Sequence, residues 1–216
     1  MIDSRMQAVM NFVGFGSRVA DIGADHGYLS IELAKSGRAA KIIATEKNIH
    51  PCEAALKNIT AAGFGETIDV RFGDGLQVLT AGEVDTICIA GMGGALIQKI
   101  LDDAPEVVQS ARQLILQPMN GVKKIRAWLA ENDWMIDDED LAESAGIIYE
   151  IISAVKVPSA PKSFKRDSSP LMKKFFAQRV EKLQRVLNEM SKSPSARASD
   201  KFAAVQAEID TLRRLC

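Results

Sequence analysis

Cysteine is scarce, with three in 216 residues. Cys52, Cys88 and Cys216 stand far apart without metal-ligand spacing. An odd count suits reduced thiols packed as small residues better than a disulfide framework. No metal is expected. Long apolar runs are also missing, and none approaches the ~18 residues that a spanning helix needs, so no membrane partner is expected. The opening Met1-Ile2-Asp3-Ser4-Arg5 starts an amphipathic stretch and lacks the apolar core of an export signal. A cytoplasmic chain is the expectation. What is plentiful, 47% hydrophobic and 25% charged residues, suffices for a full core and excludes a disordered protein.

The formal net charge is only −1, yet the two signs are unevenly placed. Residues 1–155 hold 13 basic and 22 acidic side chains, whereas residues 156–216 hold 14 and 6. A basic tail on an acidic body suits a polyanionic partner, but a solvated helical face or a partner within the chain would also explain it.

Five short β-rich runs alternate with helical patterns: Arg18–Ile22, Lys41–Glu46, Ile68–Phe72, Val84–Ala90 and Arg112–Gln117. Runs that are apolar nearly throughout, joined by single helices, predict a doubly wound α/β fold whose parallel sheet is covered on both faces. Trp134–Ile136 and Gly146–Val157 read as two more strands, with a short irregular segment between them. They would complete a mostly parallel seven-stranded sheet with an antiparallel end. The first domain is therefore set at 1–157. Pro158-Ser159-Ala160-Pro161 reads as a linker, and 158–216 as a second domain. There Phe176, Val180, Leu183, Leu187 and Met190 repeat at 4-3-4-3 spacing, and Phe202, Val205, Ile209, Leu212 and Cys216 at 3-4-3-4. Each is an a/d seam, and Pro194 breaks the pattern between them. A C-terminal α-helical coiled-coil hairpin is expected, with its seam paired within one chain or between two.

The chemistry gathers at the strand ends. The first strand runs into Asp21-Ile22-Gly23-Ala24-Asp25-His26-Gly27, a glycine turn that lets a ligand approach the backbone at the carboxyl edge of the sheet. A dinucleotide would lay its pyrophosphate on the following helix, where Asp21 and Asp25 would repel it. S-adenosyl-L-methionine fits better, because it has no phosphate and carries an ammonium and a sulfonium that carboxylates attract. Glu46 ends the second strand about twenty residues on, where a carboxylate accepts from ribose hydroxyls. Gly73-Asp74-Gly75 follows the third strand, where Asp74 can accept from an adenine amino group. Three acids at successive strand ends point to a methyltransferase that uses S-adenosyl-L-methionine. The fourth strand ends in Ala90-Gly91-Met92-Gly93-Gly94. This run lacks the side-chain acceptor and stacking ring that methyltransferases of exocyclic base amines carry there, and offers backbone amides at a helix N-terminus instead. Gln117-Pro118-Met119-Asn120 puts two amide side chains at the same edge, and amides can pair with a base.

Taken together these motifs resemble one family, the bacterial tRNA (adenine(22)-N1)-methyltransferases. The residues that carry the resemblance are Val19 to Gly23 with Asp25-His26, Ala90-Gly91-Met92-Gly93-Gly94, Leu116-Gln117-Pro118, Arg126 with Trp128-Leu129, and Tyr149-Glu150-Ile151. The family reads Gln-Pro-Asn where this chain interposes Met119. The resemblance implies a class I, Rossmann-like methyltransferase fold with a coiled-coil extension, S-adenosyl-L-methionine as donor, and tRNA rather than DNA as acceptor. The expected donor-binding residues are Asp21, Gly23, Ala24, Gly27, Glu46, Lys47, Asp74, Gly75, Ala90, Gly91 and Met92. Asp25 and His26 are the catalytic candidates. Acceptor contacts are expected from Arg5, Gly93, Gly94, Gln117, Pro118, Asn120, Arg126 and Tyr149, and from the tail residues Lys165, Arg166, Lys173, Lys174 and Arg179. A monomer or weak dimer is expected. Two other readings stay open at this point: a methyltransferase of small molecules or proteins, and a non-catalytic RNA-binding module on the same fold.

Overall fold

The computed structural model describes residues 3–156 and 169–214, which form two compact units. The first contains α1 (Ser4–Phe12), β1 (Ser17–Ile22), α2 (Tyr28–Lys35), β2 (Ala39–Glu46), α3 (Ile49–Ala61), β3 (Ile68–Phe72), a 3-10 turn (Gly75–Val78), β4 (Thr86–Gly93), α4 (Gly94–Asp102), α5 (Pro105–Ser110), β5 (Gln113–Asn120), α6 (Val122–Glu131), β6 (Met135–Ser144) and β7 (Ile147–Val155). Its seven strands lie in the order β3-β2-β1-β4-β5-β7-β6. Neighbours from β3 to β5 are parallel, and β7 is antiparallel to both β5 and β6.

The alternation of side chains along the central strands builds two cores. Ile87, Ile89, Leu114 and Leu116 face one side and pack with Ile97 and Leu101 of α4 and Ile125 and Leu129 of α6. Cys88 and Ile115 face the other side and join Val9 of α1, Leu33 of α2, and Ala55 and Ile59 of α3. Fully burying each such Leu or Ile contributes roughly 1.5–3 kcal/mol. The sheet is therefore fixed from both faces, and the carboxyl ends of β1, β2 and β4 are held at one edge.

Several elements differ from the sequence reading. The irregular segment expected before Gly146 is the greater part of β6, which pairs with β7 from Met135 to Ser144. Its Asp137-Asp138-Glu139-Asp140 run reads as a loop because few of its residues are apolar, yet charge is what an edge strand tolerates. Ala145 and Gly146, with φ of 50° and 79°, form the two-residue turn that joins it to β7. The short α5 and the 3-10 turn at Gly75 had no legible periodicity.

The second unit comprises α7 (Pro170–Met190), α8 (Pro194–Arg197) and α9 (Asp200–Arg213). Ser169, Ser193 and Ser199 each cap the next helix through the side chain. Instead of a plain loop, the Ser191–Ser195 stretch starts the one-turn α8, with Pro194 at its first position. Leu187, Ile209 and Leu212 are the buried members of the two seams. Arg179 of α7 bonds Glu208 of α9 at 2.9 Å. The expected linker, the boundary at Val157, and Cys216 lie outside the described residues. No helix among the described residues is long and apolar enough to cross a membrane.

Candidate active site

The strand order reverses direction between β1 and β4, which opens a crevice at their carboxyl ends. A cavity of about 370 Å³ occupies it. Of the expected donor-binding residues, Asp21, Gly23, Ala24, Glu46, Lys47, Asp74, Gly75, Ala90, Gly91 and Met92 line this cavity, together with Asp25, His26 and Arg5. Gly27 does not. It precedes α2 with φ +75°, and a Cβ there would come within 3.0 Å of Ile59 Cδ1, so it serves the packing of α2 on α3.

The turn after β1 is bound to β2. The amides of Gly23 and Ala24 both donate to the Thr45 carbonyl, at 2.8 and 3.0 Å. Gly23 has φ +71°, a left-handed conformation that favours glycine, and the flexible tip of Met92 lies where a Cβ would project. Asp25 follows in the left-handed region at φ 52°, its amide 3.4 Å from Glu46 Oε2. The other Glu46 oxygen accepts from the backbone and side-chain nitrogens of Asn48, both at 2.9 Å. Asp21 is buried and accepts from the Ser30 hydroxyl at 2.6 Å. Burial pushes its carboxyl up to about 6, although hydrogen bonds from Ser30 oppose the rise. Asp74 is exposed and makes no capping bond to the turn it precedes.

Sequence reasoning missed Ser30, Thr45 and Asn48. Asn48, two residues beyond the strand-end acid and just before a helix, carried a cap-type signal, whereas Ser30 and Thr45 carried none. Thr45 Oγ1 lies buried in the cavity wall with no hydrogen-bond partner among the described residues.

The β4 and β5 ends form a wall next to the cavity. Gln117 is buried, and its Oε1 accepts from the Gly91 amide at 3.0 Å. Its expected role toward a base becomes one of holding the glycine loop in place. Gly91 is an extra residue on β4 and Met119 is one on β5: Ala90 pairs with Gln117, Met92 with Pro118, and Gly93 with Asn120. Asn120 thus stands against Gly93. A Cβ on Gly94 would come within 2.8 Å of the Gly121 carbonyl, so Gly94 permits close packing of the two loops. None of Gly93, Gly94, Gln117, Pro118 and Asn120 lines the cavity.

Two expected acceptor contacts outside the loops are engaged with other side chains. Arg126 bonds Glu139 and Glu150 and stands apart from the cavity. Tyr149 is buried, and the Arg5 guanidinium sits 5.1 Å from its ring centroid while bonding Asp3. Lys173 and Lys174 are exposed on α7. Lys165 and Arg166 lie outside the described residues.

A doubly wound sheet with acids at the ends of adjacent strands suits a Rossmann-like methyltransferase, and a sequence profile for the methyltransferase domain matches residues 2–152 and defines the class. The chain is 38% identical to the tRNA (adenine(22)-N1)-methyltransferase of Bacillus subtilis over 71% of its own length and 64% of that protein's. It superposes on the crystal structure of the B. subtilis m1A22 tRNA methyltransferase TrmK with a TM-score of 0.85 and 27% identity, covering 100% of this chain and 98% of the other. A Streptococcus pneumoniae protein solved in complex with S-adenosyl-L-methionine gives a TM-score of 0.79 at 31% identity, with 100% and 99% covered. The chain belongs to the family of bacterial tRNA (adenine(22)-N1)-methyltransferases.

Gly23→Ala is expected to destabilise the first unit by about 1–2 kcal/mol, chiefly through its unfavourable φ. Thermal unfolding should show the loss, and Met92→Ala in the same chain should recover little of it. Asp21 gives a second outcome. Its folded carboxyl titrates near 6 and an ordinary one near 3.8, so it favours the fold when protonated and loses that contribution as pH rises through 6. Asp21→Asn should melt higher than the parent chain at pH 7, by on the order of 2–3 kcal/mol. That gap should close as pH falls toward 4.

Proposed function

We propose that this protein transfers a methyl group from S-adenosyl-L-methionine to N1 of adenine 22 in tRNA, in the cytoplasm, as a monomer or weak dimer. The crevice, in which Asp21, Glu46 and Asp74 end or follow three adjacent strands around a glycine turn, supports the donor, and the similarity to the B. subtilis tRNA (adenine(22)-N1)-methyltransferase supports the acceptor. The residues present fit the donor. Asp21 is buried, opposed by no basic partner in its hydrogen bonds, and suited to a cationic guest.

When bound, the donor supplies an electrophilic sulfonium methyl; the in-plane lone pair of adenine N1 forms the new N–C bond while the S–C pair stays on sulfur, so no proton need leave first. The protein's task is then chiefly positioning. Glu46 accepts from ribose hydroxyls, with its carboxylate already oriented by Asn48. Asp74 accepts from the donor's adenine amino group. Asp25, held out of the regular backbone range at the cavity mouth, faces the base as it becomes cationic and stabilises the developing charge. His26 borders the same space. The 1–157 domain carries the chemistry. The 158–216 hairpin, with Lys173, Lys174 and its other basic residues, holds tRNA phosphates and offsets the few kcal/mol needed to extrude a stacked adenine.

Labelled donor incubated with unmodified tRNA should place the label in 1-methyladenosine. Turnover should fall steeply with added salt, and removal of residues 158–216 should raise KM for tRNA at least tenfold. Label in protein, or full turnover without the hairpin, would instead favour a methyltransferase of other substrates. Asp25→Asn should lower kcat about tenfold, consistent with losing roughly 1.4 kcal/mol of charge stabilisation, while donor affinity measured by calorimetry stays within twofold.

A further inference from the structure

The carboxyl end of β4 and the first residue of α4, Ala90–Gly94, have no aromatic side chain, so a planar base beside the cavity finds no ring on that side. Among the described residues lining the cavity, only His26 and Tyr28 carry rings. Tyr28 opens α2 immediately after the left-handed Gly27. That placement leaves it 52% exposed, among the larger exposed apolar surfaces of the first unit. The two rings are 5.6 Å apart and tilted by 37°, so they border one another without stacking face to face. Tyr28 also lines a second, open hollow of about 700 Å³, shared with Met6 and bounded by Asp3, Glu32 and Asn58. Its ring therefore stands on the rim between the cavity and open surface. A nucleobase entering from the side of the open hollow meets that ring first.

We infer that Tyr28 is the stacking face for the acceptor adenine, with His26 as its border. This rests on the functional reading above and goes beyond it by naming the side chain that receives the base. A base lying on a tyrosine face gains stacking that is indifferent to which edge it presents. Methylation at N1 makes that base a flat cation, and the ring's negative face attracts a cation more strongly than a neutral base. The contact therefore strengthens as the reaction proceeds, which is the condition for lowering a barrier.

Tyr28→Leu in the full chain keeps an apolar side chain and removes the π face. It is expected to lower kcat/KM for tRNA about tenfold, with the donor's dissociation constant, measured by calorimetry without tRNA, within twofold of the parent's. Tyr28→Phe should recover most of that loss. Replacement of the target adenine by 2-aminopurine should give fluorescence quenching on binding to the parent chain and less on binding to Tyr28→Leu. Parental kcat/KM in Tyr28→Leu would overturn the assignment, and so would a tenfold loss of donor affinity, which would give the ring to the donor. Failure of the parent chain to methylate any adenine would overturn the functional reading itself, before any variant is compared.

Discussion

A carboxylate kept almost out of water at the end of β1 governs the crevice. Asp21 is buried, and its hydrogen-bond partner is the neutral Ser30 rather than a base. Burial raises its titration to about 6, and the hydrogen bonds from Ser30 offset only part of that rise. The fold tolerates this because the sheet is packed on both faces by ample Leu and Ile, so a local penalty of a few kcal/mol is offset elsewhere. A buried acid in a cavity selects its guest by sign. Anionic coenzymes are repelled and cationic ones favoured, before any shape is considered.

The remaining features serve the same edge. The Thr45 carbonyl takes both amides of the turn after β1, which ties that turn to β2 and its strand-end acid. Gln117 holds Gly91 from beneath. Glu46 is oriented by Asn48 and lies close to the Asp25 amide. The result is a frame of backbone contacts carrying carboxylates whose hydrogen-bond partners are neutral, an arrangement suited to positioning rather than to acid–base relay.

Most of the frame was legible in the sequence, because apolar strand runs and glycine turns report backbone requirements directly. The doubly wound parallel sheet followed from crossover rules, and the acids at β1, β2 and after β3 announced the edge they share. What stayed hidden depends on contacts between residues distant in the chain. Gln117 read as a base-pairing amide until its oxygen was found on Gly91, and Arg126 as a free cation until Glu139 and Glu150 were found around it. Gly27 resembled a ligand glycine, yet Ile59 occupies the space that its missing side chain leaves. Thr45 and Ser30 gave no local signal at all, since an ordinary hydroxyl becomes notable only through its surroundings. β6 was obscured for the opposite reason: its acidic run follows the rule for sheet edges rather than the rule for cores.

The paired irregularities of β4 and β5 have a consequence for the edge they share. Gly91 advances one strand by a residue and Met119 advances the facing strand by a residue, so the second slip cancels the first and Gly93 meets Asn120 in the original alignment of the ladder. Either slip alone would shift every later pair by one residue, so the two extra residues act as a matched set that keeps Asn120, two positions beyond Pro118, opposite Gly93.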